Sequence, residues 1–127
     1  MRTFFMASIV LIGLATSALA KEYDGNELLR NCNAAVKQED GVKIDAVEIL
    51  GATYCLGYLA GFTSAHSIVV GVAKLKKPLY CAPSNGNETG QLARIVTKYL
   101  KNNPKYLHES ARINVAAAFT SAFPCPQ

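Results

Sequence analysis

The chain has 127 residues, half of them apolar, and carries 13 Lys or Arg against 9 Asp or Glu, a formal charge of +4 at pH 7. That length admits one modest domain and excludes a multidomain enzyme. So slight a basic excess, with no gathering of Lys and Arg among aromatics, argues against a nucleic-acid partner.

Residues 1–20 read as a cleavable signal peptide. Arg2 supplies the positive start, Phe4 to Leu14 the apolar stretch, and Ala18-Leu19-Ala20 an A-x-A cleavage site. Removal of this segment takes Arg2 away, lowers the formal charge to +3, and leaves residues 21–127 as a single exported domain. A domain of this size buries limited apolar area, and exported domains often add disulfides to offset the entropy of ordering the chain. Cys32, Cys55, Cys81 and Cys125 suit that need.

Asp24 with Glu27 three residues later resembles a capping box, and Leu28, Cys32, Ala35 and Val36 recur at helical spacing, so a first helix is predicted over about Gly25 to Gln38. Glu39-Asp40-Gly41 ends it. Asp45 and Glu48 repeat the cap signal before a long stripe: Val47, Leu50, Tyr54, Tyr58, Gly61, Phe62, Ala65, Val69 and Val72. This second helix is expected to be long and central.

Between Gly51 and Ala73 there is no charged side chain, a length that also suits a transmembrane span, with Lys74, Lys76 and Lys77 just beyond. Thr53, Thr63, Ser64, His66 and Ser67 speak against lipid, as does a cysteine in mid-helix. A buried core helix is expected, with no stable membrane insertion. Gly57 and Gly61 have the small-xxx-small spacing that permits close backbone approach, and tight packing is their expected role.

Pro78, Pro83 and Ser84-Asn85-Gly86-Asn87 form a polar, turn-rich connector around Cys81. Asn87 is placed to cap a third helix and Glu88 to face its positive end, with Leu92, Ile95, Val96, Tyr99 and Leu100 as the apolar stripe. That helix stops at Asn102-Asn103. Pro104 then sits in the first turn of a fourth helix lined by Leu107, Ala111, Val115, Ala118, Phe119 and Ala122, which ends at Phe123-Pro124-Cys125-Pro126.

The expected fold is all-α, a compact bundle of about four to five helices cross-linked by two disulfides. Four cysteines allow three connectivities. Sequence alone does not decide among them, but an antiparallel hairpin at the short Asn102-Asn103 link favours Cys81–Cys125, and a like pairing of the first two helices favours Cys32–Cys55.

The groups needed for catalysis are sparse. His66 and His108 fall on different predicted helices, with no phosphate loop or nucleophile motif nearby, so no enzyme activity is expected. His66 reads as a hydrogen-bonded core residue and His108 as a packing or capping partner. No C-x-x-C pair occurs, oxidised cysteines cannot ligate as thiolates, and neither a metal nor another cofactor is expected. Asp24, Glu27, Asp45 and Glu48 are accounted for as helix caps.

In chain order the motifs are Cys32 in a glycine-led first helix, Cys55-Leu56-Gly57-Tyr58-Leu59-Ala60-Gly61, Cys81-Ala82-Pro83, Tyr99-Leu100 before Asn103-Pro104, and Ala118-Phe119 with Phe123-Pro124-Cys125. This set resembles the Tai-type (Rap/Tai) family of type VI secretion amidase immunity proteins, across nearly the whole exported chain. The resemblance implies a periplasmic homodimer that binds a peptidoglycan amidase effector, blocks its cleft with an exposed segment and so protects the wall. In this chain the candidate segment is Ser84, Asn85, Gly86, Asn87 and Glu88, held at its base by Cys81. Lys105 departs from the acidic residue that family members often carry after the proline, a sign of a retuned surface or of a diverged copy with another partner. The alternative is a periplasmic binding or chaperone-like envelope protein without a cognate amidase.

Overall fold

The computed structural model describes residues 23–83, 86 and 88–127. The signal peptide expected at residues 1–20 lies outside these. Four α-helices follow in order, α1 (Gly25–Glu39), α2 (Ala46–Ala73), α3 (Thr89–Asn102) and α4 (Ala111–Ala122), with a single 3₁₀ turn at Pro104–Tyr106 before α4. No strand occurs among the described residues, and the all-α fold is as expected; one isolated antiparallel bridge joins Asp24 to Ser110.

The cap signals work as read. Asp24 accepts the Glu27 backbone N–H at 3.0 Å, and at α2 the box closes both ways, Asp45 accepting from the Glu48 N–H at 2.8 Å and Glu48 from the Asp45 N–H at 3.2 Å. Such caps satisfy N–H groups that have no partner inside the helix, worth about 1 kcal/mol each. At α3 the cap residue is Glu88 and it makes no side-chain cap bond. Instead the Glu39 carboxylate lies against this end of α3: a Cβ at Gly90 would meet its Cδ at 2.8 Å. Negative charge there favours the helix dipole. Asn87, expected as the cap, lies outside the described residues.

The core gathers Leu28, Cys32 and Ala35 of α1, Ala52, Cys55 and Leu59 of α2, Leu92, Val96 and Leu100 of α3, and Val115 and Phe119 of α4. The central element is α1, which packs against each of the other three helices; α2 is long but flanks it. Both expected disulfides form. Cys32–Cys55 staples α1 to α2 inside the core, and Cys81–Cys125 ties the α2–α3 connector to the chain end beyond α4. With sequence separations of 23 and 44, the chain-entropy relation gives contributions of about 3 and 4 kcal/mol.

Two expectations about helices are corrected. The fourth helix does not run on from Pro104. It breaks after Tyr106 and restarts at Ala111, because the backbone in between is bonded to the start of α1: Gly25 N–H donates to Glu109 O at 2.9 Å, Asn26 N–H to Leu107 O at 3.1 Å, and Ala111 N–H to Tyr23 O at 2.8 Å. Buried Asn114 directs its amide at the same break, toward Tyr106 O at 3.0 Å, Glu109 O at 3.2 Å and Ser110 O at 3.3 Å. Carbonyls that a continuous helix would use inside itself are thus taken by the start of α1 and by the Asn114 amide.

The second correction concerns α2, which is not a buried core helix. Its buried residues are Ala52, Cys55 and Leu59, while Val47 is 77% exposed, Leu50 72% and Val72 80%. At 100° per residue the buried face is turned roughly 100° from the stripe read in the sequence. Between Gly51 and Ala73 no charged side chain fixes the rotation of α2, and the face that packs carries the small residues Ala52 and Cys55, which let α1 approach. Gly57 and Gly61 lie in the open, with no atom within 4 Å of where a Cβ would stand. The tight packing expected of them does not occur among the described residues.

Candidate functional site

The α2–α3 connector is the longest non-helical segment among the described residues, and the fold grips it firmly at its middle. Lys74 ends α2 in the left-handed region, φ 48°, and turns the chain back. Tyr80 is then buried, its ring stacked on His66 at 3.9 Å and edge-on to Phe119 at 5.3 Å. Cys81 N–H donates to Phe123 O at 2.9 Å, and the Thr120 hydroxyl lies 3.3 Å from Leu79 O. With the Cys81–Cys125 bridge these contacts fix residues 79–81 against the end of α4.

Beyond that anchor the candidate segment begins. Gly86 takes φ +74° and its N–H donates to Pro83 O at 3.0 Å, which closes a turn; both Gly86 and Glu88 are exposed, and Thr89 starts α3 directly after. Ser84, Asn85 and Asn87 lie outside the described residues. The segment is therefore flanked by a covalent bridge on one side and a helix on the other.

The two histidines have unrelated surroundings. His66 is half-buried against Tyr80, and burial pushes its pKa down. Its Nε2 is buried and has no hydrogen-bond partner among the described residues, so it is a stacked histidine and not the hydrogen-bonded one expected. His108 is exposed and faces its neighbour Glu109 at 3.3 Å. Among the described residues no group of three His, Cys, Asp or Glu is placed to hold a metal ion. Asp24 and Asp45 act as caps, while Glu48 both caps and pairs with Lys37 Nζ at 2.7 Å, which together hold its pKa below the usual carboxylate range.

A second surface was only half legible. Val47, Leu50, Tyr54, Ile68, Val69 and Val72 line an apolar flank of α2 that stays largely exposed among the described residues. The helix is long and apolar enough to cross a membrane by length and composition, and only 11% of its most apolar window is buried. At the α1 end of this flank Tyr23 meets Tyr54 and Tyr58 edge-on at 4.8 and 5.3 Å, and the Asn31 amide donates to the Tyr23 hydroxyl at 3.1 Å. Burial pushes the Tyr23 phenol up to about 12. Beside this cluster a groove of about 410 Å³ opens between α1 and α2, walled by Arg30, Lys37, Glu48, Val47, Leu50 and Tyr54.

Sequence reasoning passed over Tyr80 and the neighbours of the second bridge. Tyr80 sits in a stretch of polar and turn residues with no periodicity to mark it as core. Lys76 and Lys77, just beyond α2, share a cavity of about 740 Å³ with both sulfur-bearing residues Cys81 and Cys125.

The family model of the Rap1a immunity proteins matches residues 24–125, from the α1 cap to the last cysteine. The chain belongs to this immunity-protein family. Comparison with curated proteins and with solved structures finds no match.

Proposed function

We propose that the chain is a periplasmic immunity protein that binds and inhibits a peptidoglycan amidase delivered by type VI secretion, as the Tai-type resemblance implies. The match of residues 24–125 to the Rap1a immunity proteins carries this reading. Such a protein must hold one effector tightly and ignore other envelope proteins, and a binding segment ordered before the encounter lowers the entropy lost on binding. The candidate segment, residues 84–88, is flanked by the Cys81 bridge and the first turn of α3. Exposed Gly86 and Glu88 supply a turn and a negative charge, and Ser84, Asn85 and Asn87 bring hydroxyl and amide groups for hydrogen bonding.

In this reading two copies associate through the bare flank of α2. A helix of 28 residues is about 42 Å long, enough to carry a patch of the area that stable interfaces bury. Open Gly57 and Gly61 near its middle leave room for a second backbone.

The test is capture of amidase effectors encoded beside the gene by the oxidised protein from Lys21 onward, with peptidoglycan cleavage followed in parallel. One-to-one capture with loss of cleavage is expected; failure to bind any of them rejects the amidase reading. The uncovered α2 flank favours one rival, a chaperone-like envelope protein. Rescue of many unrelated clients in an aggregation assay, without tight binding to one amidase, would support it.

A further inference from the structure

We propose that the Cys81–Cys125 bridge is a thiol–disulfide exchange site, open to a dithiol reductant, while Cys32–Cys55 is closed to one. The two bridges differ in what surrounds them. Cys32 and Cys55 are fully buried between α1 and α2, packed among Leu28, Ala35, Ala52 and Leu59. Cys81 and Cys125 are partly exposed, lie in non-helical segments, and border the 740 Å³ cavity.

Exchange requires an incoming thiolate to reach one sulfur while the other departs, so access decides which bridge reacts. The core bridge meets a thiolate only if α1 and α2 separate. At the surface bridge the cavity admits one directly. Its charged lining residues are Lys76 and Lys77, both exposed, with no Asp or Glu among the described lining residues. Neighbouring ammonium groups draw in a thiolate and stabilise the thiolate that leaves.

The chemistry balances as a two-electron transfer. A thiolate of the reductant attacks one sulfur of the bridge, the S–S bond breaks, and its electron pair goes to the departing sulfur as a thiolate. The second thiol of the reductant then loses its proton, attacks the mixed disulfide and releases the other cysteine. Both cysteines end as thiols and the dithiol as a disulfide. Opening need not unfold the domain, because Tyr80 stays buried and the Cys81 N–H bond to Phe123 O and the Thr120 contact with Leu79 O do not involve sulfur. What changes is the grip on the connector, from covalent to non-covalent.

The oxidised protein is treated with graded dithiothreitol, quenched with iodoacetamide and mapped by peptide mass spectrometry, with helix content followed by circular dichroism. Cys81 and Cys125 should be alkylated at least tenfold faster than Cys32 and Cys55 while helicity is unchanged. Equal rates at all four cysteines, or helix loss in step with the first alkylation, overturns the proposal. Lys76→Gln with Lys77→Gln should slow the surface bridge severalfold and leave the core bridge alone; an unchanged rate removes the lysines' part. The Cys81→Ser/Cys125→Ser protein should keep its native spectrum, and an unfolded one counts against local opening. No effector enters these measurements, so their failure is separate from failure of the immunity reading.

Discussion

The imidazole of His66 lies flat on the ring of Tyr80, centroids 3.9 Å apart and planes 15° from parallel, and its buried Nε2 has no partner among the described residues. Burial lowers the pKa of this imidazole from its ordinary 6.5. The unfolded chain therefore takes up the proton first as pH falls, and stability drops below about pH 6.5 until the folded imidazole also titrates. His66→Phe keeps the ring stack and removes the proton, so the pH dependence of urea unfolding between pH 7 and 5 should flatten. An identical slope in the variant would show that His66 does not carry it.

Gly25 sits where the start of α1 meets the break before α4. A Cβ there would stand 2.7 Å from Asn114 Nδ2 and 2.9 Å from Leu107 O, the second a backbone atom already bonded to Asn26. Gly25→Ala forces that junction apart and should cost about 1–3 kcal/mol in chemical denaturation. A loss under 0.5 kcal/mol, about what an unremarked surface change produces, would mean the junction yields freely.

The exposed flank of α2 gives a solution test. Leu50→Glu with Val72→Glu places two charges at positions 72% and 80% exposed, so the monomer should keep its helix content and unfold within about 0.5 kcal/mol per substitution of the parent. If two copies meet there, light scattering at tens of micromolar should show a dimer for the parent and a monomer for the variant. A monomeric parent ends the dimer proposal. Partition of the parent into lipid vesicles would instead assign the flank to a membrane.

Gly86 holds a positive φ beside the Cys81 anchor. Gly86→Ala places a side chain in the left-handed region, at a cost of about 1–2 kcal/mol, and should weaken effector binding by tenfold or more through the altered turn. Combined alanine replacement of Ser84, Asn85 and Asn87 should do the same without lowering the thermal midpoint. Unchanged affinity in both variants moves the contact away from this segment.

Much of the architecture was legible because local chemistry specified it. Asp24 and Asp45 were read as caps and act as caps, and the stripe of α3 points inward as its spacing required. Two hairpins favoured Cys32–Cys55 and Cys81–Cys125 among three connectivities, and the folded chain has that pairing. The candidate segment was found as a gap in periodicity, which locates a loop but not the Tyr80 and Cys81 contacts that hold it.

By itself the sequence determined the all-α class, the caps of the first two helices and the kinship with immunity proteins. Only the tertiary structure decided which face of α2 is buried, and where α4 begins. In α2 no charged side chain between Gly51 and Ala73 sets the rotation, and close packing of Ala52 and Cys55 on α1 settles it. In α4 the helix restarts at Ala111 because its preceding carbonyls are claimed by Gly25 and Asn26, more than eighty positions away, and no local pattern encodes a partner so distant.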